Sequence, residues 1–399
     1  MGKFYLVHNE NNEDKFDINF LNMASAKKVK QFHESFPMYK VTPLVDLKRL
    51  SEAIGLKNIY VKDESYRFGL NAFKVLGGSF AIGNYIANKL KMDIKALPYE
   101  KMISGKIREE LGKLTFVTAT DGNHGRGIAW TANQLNQKSV VYMPRGSSQE
   151  RLENIKSEGA DASITDFNYD EAVRLADRKA KENGWVMIQD TAWEGYEDIP
   201  AWIIQGYGTM ALEAYEQLNK KPTHIFIQAG VGSLASAITG FFTNAYPKDK
   251  PIITVVEPDK ADCVFRTAKA NDGKLHFVTG DMNTIMAGLA CGEPCSIGWN
   301  VLQSYADYFI SVPDYVAAKG MRVMGNPLGD DDRVISGESG AVTLGCVVEI
   351  MTNPKLSNIK NELKLDETSV VLCFSTEGDT DKENYRAIVW DGKESSFNK

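Results

Sequence analysis

Lys74 is the first residue of this chain whose type and surroundings suggest chemistry. It lies in the segment NAFKVLGG (residues 71–78), just before small residues that let helices pack closely. A lysine amine held in such a place can act as a nucleophile towards an aldehyde. Since most lysines are exposed surface charges, this segment alone leaves a purely structural role equally open.

A glycine-rich loop much further along the chain predicts an anion site. Residues 225–229 (IFIQA) have the pattern of a buried strand and run directly into this loop. The free backbone N–H groups of such a turn can hold a phosphate. The letters GVGSLA also fit the dinucleotide fingerprint GxGxxA, and Glu257 follows the next strand, where a ribose would bind. The loop residues are Gly230, Val231, Gly232, Ser233 and Leu234.

A third segment helps to choose between a dinucleotide and pyridoxal 5'-phosphate as the cofactor. Residues 118–125 (TATDGNHG) lie between an apolar strand, 115–119, and a helix predicted to begin near Gly125. Pyridoxal 5'-phosphate needs an amine for its aldehyde and a separate site for its phosphate. A nicotinamide enzyme gives no reason for the lysine segment and the Asn123 segment to accompany the loop, although Asn123 alone is also an ordinary turn residue.

In this order, the three segments resemble the fold type II pyridoxal-phosphate enzymes, the group of threonine dehydratase, tryptophan synthase β chain and cysteine synthase. Two features depart from the general pattern of that group, namely Asp121 and the segment QDTAWEGY (residues 189–196). Both resemble the diaminopropionate ammonia-lyase family. The resemblance covers nearly the whole chain.

The resemblance implies a role for each matching residue of the cofactor site. Lys74 would bind the cofactor aldehyde and later move protons, and Asn123 would hydrogen-bond the ring hydroxyl. Ser375 matches the position at which this group places a hydroxyl beside the pyridine nitrogen, with Thr376 as the alternative. A hydroxyl cannot hold that nitrogen protonated as a carboxylate would, which favours β-elimination over transamination.

The resemblance also implies the reaction, an α,β-elimination of D- and L-2,3-diaminopropionate to pyruvate and two molecules of ammonia. Asp121 replaces a small residue, so Lys74 and Asp121 would be bases on opposite faces of the substrate. Asp190 is the expected companion of Asp121 and would exchange a proton or hold an ammonium group. The alternative role for Asp190 is that of a helix cap. A serine or threonine dehydratase and a non-catalytic amino-acid-binding protein remain as alternative functions.

The alternation of strand-like and helix-like segments predicts an α/β fold with two open, mostly parallel sheets and helices on both faces. A large cofactor-binding domain is predicted from residues 1–85 and 200–399, and a small domain from 86–199. Helices are predicted over 169–183 and 202–218. Ligands bind at the carboxyl ends of parallel strands. The strand-end residues expected in one cleft are Asp121, Asp190, Gly230, Glu257 and Ser375.

Composition excludes several other kinds of partner. The net charge of −6 over 399 residues offers no basic surface for nucleic acid or an anionic membrane. The first residues show no apolar stretch of the signal-peptide type, which predicts a cytoplasmic location. Five cysteines without a CxxC predict free thiols and no metal, with a Cys263–Cys291 pair left open. The expected partners are a small amino-acid substrate and, from the resemblance, a second copy of the chain.

Overall fold

The chain folds into two open sheets covered by helices, as the sequence predicts. The computed structural model describes residues 4–10, 15–120 and 122–396. The strands are β1 (Tyr5–His8), β2 (Leu44–Asp46), β3 (Asn58–Asp63), β4 (Thr115–Ala119), β5 (Lys138–Met143), β6 (Asp161–Ile164), β7 (Val186–Met187), β8 (His224–Gln228), β9 (Ile252–Pro258), β10 (Tyr308–Val312) and β11 (Val370–Ser375).

The helices lie on both faces of the sheets. Short 3₁₀ helices also occur at Asn19–Leu21, Glu64–Gly69, Ile94–Ala96, Ala287–Leu289 and Pro354–Leu356. The α-helices are α1 (Met23–Glu34), α2 (Lys48–Ile54), α3 (Val75–Lys89), α4 (Tyr99–Met102), α5 (Gly105–Leu111), α6 (Asn123–Gln134), α7 (Gln149–Ser157), α8 (Tyr169–Asn183), α9 (Asp198–Gly206), α10 (Gly208–Gln217), α11 (Ser233–Ala245), α12 (Cys263–Ala270), α13 (Ser296–Tyr305), α14 (Asp314–Gly325), α15 (Glu338–Thr352), α16 (Ser357–Glu362) and α17 (Lys382–Val389).

The parallel strands of each sheet end on the same side, where the predicted motifs follow them. In the described residues, the larger sheet has the order β1-β10-β9-β8-β11-β3-β2, with β1 and β2 antiparallel to their neighbours and the inner strands parallel. The smaller sheet, β6-β5-β4-β7, is parallel throughout. Strands β3, β8 and β11 are buried along their whole length, because helices cover both faces of a parallel sheet.

The strands of the smaller sheet all fall within residues 86–199, the predicted small domain. The proposed limits of that domain, however, fall inside the helices α3 and α9. The exact boundaries therefore stay a prediction.

The helix predicted over 202–218 is wrong in its continuity, since the chain forms α9 and α10 with a break at Tyr207. At this break α9 approaches α3 closely. A Cβ on Gly206 would lie 2.5 Å from the Leu76 carbonyl oxygen, and a Cβ on Gly77 would lie 2.8 Å from the Tyr207 ring. The predicted helix over 169–183 is confirmed as α8.

A buried group of charged side chains supports the segment that leads into Lys74. Lys62 and Arg67 both donate to Glu213, at 2.8 and 2.7 Å, and Arg67 also donates to Glu64 at 2.8 Å. All four side chains are fully buried, so each charge depends on an opposite charge beside it. The segment from residue 64 onward is thereby fixed to α10.

In the part of the chain that the structure describes, no helix has the length and apolar character needed to cross a bilayer.

Candidate active site

Lys74 and Asp190 meet although 116 residues separate them. Lys74 precedes α3, and its Nζ donates to Asp190 Oδ2 at 3.1 Å. Their side chains are 15% and 5% exposed. The Tyr169 hydroxyl donates to the other oxygen of Asp190 at 3.3 Å. The helix-cap alternative for Asp190 is wrong, because the next helix begins only at Asp198.

The ionisation of Asp190 follows from this pairing. Burial by itself raises the pKa of the Asp190 carboxyl, but the charge of Lys74, followed by the effect of His124 and the hydrogen bond from Lys74, outweighs burial and holds that pKa at about 2. Asp190 is therefore an anion throughout the neutral range. It can hold an ammonium group but carries no proton to donate.

The glycine-rich loop faces the same pocket as Lys74. It connects β8 to the first turn of α11, where helix geometry leaves backbone N–H groups without intrahelical acceptors. Gly232 has φ +98°, and a Cβ on Gly230 would lie 3.3 Å from Cys291 Sγ. The Ser233 hydroxyl donates to the Asp190 carbonyl at 2.5 Å, which ties the loop to the lysine's partner.

Asn123 begins α6 and lines this pocket, so the third motif joins the first two. Its side-chain amide donates to Glu377, a residue from the end of β11 that also lines the pocket. Behind the motif, Gln189 Oε1 accepts from the Thr118 hydroxyl at 2.8 Å and from the Ala119 N–H at 3.1 Å. These bonds align the ends of β4 and β7.

The end of β11 presents Thr376 to the pocket. The Ser375 hydroxyl is buried and donates to the Ser336 hydroxyl at 2.8 Å. Gln228 donates to the Thr376 hydroxyl at 2.9 Å, and its side-chain oxygen has no hydrogen-bond partner among the described residues. The geometry thus favours the alternative residue, Thr376, as the hydroxyl beside a bound ring.

Asp121 lies outside the described residues, and its predicted role as a second base remains a prediction.

The alternative interpretation, a dinucleotide site, requires the Glu257 carboxylate to face the ribose of the cofactor. In the structure, the buried Glu257 carboxylate accepts the backbone N–H groups of Val264 and Phe265, at 3.0 and 2.6 Å. It caps the start of α12 instead, which argues against a nicotinamide cofactor.

The cysteines carry no disulfide. All five, including Cys263 and Cys291, are buried cysteines outside any disulfide. Burial raises the pKa of Cys263 and of Cys295, so both thiols are held in their neutral form.

The pocket residues that escaped prediction from sequence include four with polar side chains: Tyr207, Gln228, Ser339 and Glu377. Gln228 carried a usable signal, because it is a polar residue that ends an otherwise apolar buried strand directly before the glycine loop. Glu377 stands two positions after the predicted hydroxyl residue Ser375. Neither Tyr207 nor Ser339 belongs to a local pattern that points to a ligand.

A wider cleft of about 790 Å³ adjoins the inner pocket. Tyr169 lines this cleft and bonds Asp190 on the pocket side. Glu338 also lines the cleft, is 3% exposed and accepts a hydrogen bond from Asn384. Burial, reinforced by the neighbouring charge of Glu377, raises the pKa of Glu338 to about 7.

Glu338 should therefore make stability depend on pH. Between pH 5 and 8 the unfolded chain carries an ionised glutamate, whereas the folded chain keeps Glu338 largely protonated up to about pH 7. The folded state binds the extra proton, so its stability falls as pH rises through this window. Glutamine has no such proton to lose, so the free energy of unfolding of Glu338→Gln should rise relative to that of the parent protein as pH increases. At about 1.4 kcal/mol per pKa unit, this relative gain should amount to about 2–3 kcal/mol between pH 5 and pH 8.

Urea unfolding of both proteins at pH 5 and 8 measures this difference. Glu362→Gln is the control, since it makes the same substitution at a glutamate that is exposed rather than buried. A constant offset for Glu338→Gln would show that Glu338 ionises alike in the folded and unfolded chains.

Comparison with known proteins agrees with this geometry. The family described as pyridoxal-phosphate dependent enzyme matches residues 36–372. The diaminopropionate ammonia-lyase of Salmonella typhimurium strain LT2 is 52% identical over 381 residues, which is 94% of either chain. Holo diaminopropionate ammonia lyase from Escherichia coli has a TM-score of 0.92 at 47% identity, with 98% of both chains covered. The same enzyme with an aminoacrylate-PLP azomethine reaction intermediate has a TM-score of 0.90 at 46% identity, again over 98% of both.

The lysine, the loop at a helix N-terminus and the matched family together define the class, and the chain belongs to the pyridoxal-phosphate-dependent enzymes. The identity over nearly the whole length of both chains is specific within that class. The chain belongs to the diaminopropionate ammonia-lyase family.

Proposed function

We propose that this chain eliminates ammonia from 2,3-diaminopropionate, and that pyruvate and a second ammonia follow from hydrolysis of the released aminoacrylate. The observation that carries the proposal is the Lys74–Asp190 pair, which faces the glycine-rich loop across one pocket. Family membership supports the substrate, because the matched relatives are diaminopropionate ammonia-lyases.

The residues of the pocket fit pyridoxal 5'-phosphate. An amine stands on one side, and the start of a thirteen-residue helix supplies N–H groups for a phosphate on the other. The unpartnered oxygen of Gln228 is a buried acceptor on the pocket wall. We assign cofactor binding to Lys74, Asn123 and loop 230–234, with Thr376 or Ser375 at the pyridine nitrogen. When bound, the cofactor delocalises negative charge from the α-carbon of an amino acid.

The chain's own residues then divide the proton transfers. Lys74 removes the α-proton from one face of the substrate, and Asp121 removes it from the other face in the opposite enantiomer. The β-amine leaves only as an ammonium group, so a proton must reach it. Asp190, which pairs with the Lys74 ammonium in the structure, is placed to hold an ammonium group of the substrate once Lys74 binds the cofactor.

A substrate panel tests this proposal directly. Purified protein loaded with pyridoxal phosphate is given D- and L-2,3-diaminopropionate, serine and threonine, and keto-acid formation is followed. Pyruvate from both diaminopropionate enantiomers at rates far above those from serine is the expected result. Faster turnover of serine or threonine would favour the dehydratase alternative, and no turnover would favour the amino-acid-binding alternative.

Replacing Gly232 with leucine is expected to weaken cofactor binding about tenfold. The left-handed backbone at φ +98° disfavours any residue with a Cβ by about 1–2 kcal/mol, and relief of that strain would move the N–H groups of the loop. Titration of the apo-protein with pyridoxal phosphate measures the change.

Gly55→Leu is the matched control for this substitution. Gly55 has φ +74° with nothing within 4 Å of its Cβ position, and it ends α2 on the surface of the larger domain. It carries the same backbone penalty without touching the loop. Unchanged cofactor affinity in Gly232→Leu combined with lost turnover would assign the loop another task.

The homodimer and the cytoplasmic location are proposals of the same kind, supported by the family resemblance and by the sequence. Light scattering on the purified holoenzyme should give twice the mass of one chain.

A further inference from the structure

Glu377 is a buried acid on the pocket wall that the proposed proton transfers do not use. Its side chain is 1% exposed, and one carboxylate oxygen accepts a hydrogen bond from the Asn123 amide. The other oxygen accepts the backbone N–H of Ser339 at 3.1 Å. The carboxylate therefore joins the start of α6 to the first turn of α15.

The backbone on either side of Glu377 holds the segment that leads into Lys74. Ala72 pairs with Glu377 in an isolated antiparallel bridge. Next to it, the Phe73 N–H donates to the Thr376 carbonyl at 3.0 Å. Glu377 thus lies opposite the lysine segment, held there by backbone hydrogen bonds of its neighbours Thr376 and Gly378, and it binds the asparagine segment through its side chain.

Two glycines of the 337–340 turn allow this close packing. A Cβ on Gly337 would lie 3.0 Å from Glu377 Cγ, and a Cβ on Gly340 would lie 2.9 Å from the Thr376 nitrogen. Both distances are shorter than ordinary contacts, so larger side chains would push the end of β11 away. The glutamate is consequently confined to one position.

A carboxylate decides which way an amide side chain points. The oxygen and nitrogen ends of the Asn123 amide have nearly the same shape, but an ionised carboxylate can only accept hydrogen bonds. It therefore binds the NH₂ end of the amide. The amide oxygen and the second N–H are left for a ligand in the pocket.

We propose that Glu377 is a positioning residue, which orients the Asn123 amide against the ring hydroxyl of the cofactor and links it to the Lys74 segment. This inference rests on the proposed function, in which Asn123 contacts the ring. Glu377 itself need not touch the cofactor for this role.

A double-mutant cycle on cofactor affinity tests the link. Pyridoxal phosphate is titrated into apo-protein of the parent, Glu377→Gln, Asn123→Ala and the double variant. The glutamine must turn a donor towards either Asn123 or the Ser339 N–H, so we expect about tenfold weaker binding. If Glu377 acts through Asn123, the double variant should bind no more weakly than Asn123→Ala alone. The proposal is overturned if the double variant binds more weakly than Asn123→Ala by the full factor seen in Glu377→Gln. It is also overturned if Glu377→Gln binds the cofactor as tightly as the parent protein.

A spectroscopic measurement separates positioning from general stability. The pH dependence of the visible absorbance of bound cofactor should shift in Glu377→Gln, since the ring hydroxyl loses a fixed partner. Asp379→Asn is the matched control, because Asp379 accepts from Asn71 at 3.1 Å on the same segment but is not bonded to Asn123. The same shift in both variants would overturn the proposal.

A second variant and measurements on the parent protein complete the test. Where Glu377→Gln does not fold, Glu377→Asp keeps the charge but withdraws it by one methylene, and the same direction of change is expected. Parent protein that binds the cofactor yet makes no pyruvate from diaminopropionate would refute the proposed function while the affinity cycle still decides on Glu377. Parent protein that binds no cofactor would overturn both.

Discussion

Lys74→Ala is expected to lower turnover of both diaminopropionate enantiomers by more than the roughly 10²–10⁴-fold that follows loss of a positioned general base. The amine would also be lost as the attachment point of the cofactor. Borohydride reduction followed by peptide mapping should place the cofactor on Lys74 in the parent protein, and on no peptide of the variant.

The same substitution should destabilise the fold. Asp190 is buried, and removal of Lys74 takes away the nearest positive charge, which costs about 3 kcal/mol for a broken buried pair. Lys74→Ala with Asp190→Asn should regain most of that stability in urea unfolding and none of the turnover. This separates the loss of catalysis from the loss of structure.

Lys319→Ala provides the matched control. Lys319 pairs with the buried Glu349, so its removal should lower stability by a similar mechanism while turnover persists. A pyridoxyl group on a lysine other than Lys74 in the parent protein would contradict the assignment.

Asp121→Asn is expected to suppress turnover of one enantiomer, the D form, by about 10²–10⁴-fold more than turnover of the other. The physical reason is that two bases on opposite faces of the substrate serve opposite configurations at the α-carbon. Rates with both enantiomers must come from one preparation with its cofactor content measured.

Asp190→Asn is the informative comparison for this experiment. Asp190 holds ammonium groups in both reactions, so its substitution should slow both enantiomers alike. An equal fall for both in Asp121→Asn would move Asp121 to a shared step such as departure of the β-amine. No fall for either would contradict the two-base assignment and favour the dehydratase alternative.

Local sequence was sufficient for the fold class and for the three motifs. Apolar runs followed by small residues predict buried parallel strands and turns, because these features depend on neighbours within a few positions. The carboxyl ends of such strands share one edge of a sheet, so Asp190 and the loop at Gly230 were expected in one cleft. Lys74 and Asn123 were expected beside that loop because the resemblance assigns them to the same cofactor. The structure brings these residues to one pocket, whereas Glu257 caps α12 instead.

Contacts between distant segments were decided only by the tertiary structure. Asp190 was open to a helix cap or an acid–base role until strand order and the small sheet placed it 3.1 Å from Lys74. Glu257 fitted a ribose site by spacing, but the fold turns its carboxylate into the start of α12. The pleat of β11 directs Ser375 towards Ser336, so that Thr376 reaches the pocket.

The difference between what the sequence predicts and what only the tertiary structure decides has a simple physical cause. A sequence pattern reports which residues share a face or follow a strand, since helix and strand periods are fixed by backbone geometry. Which charge meets which depends on the register and packing of elements that lie more than a hundred residues apart. The bond from Asn123 to Glu377 spans 254 positions, and no local pattern contains it.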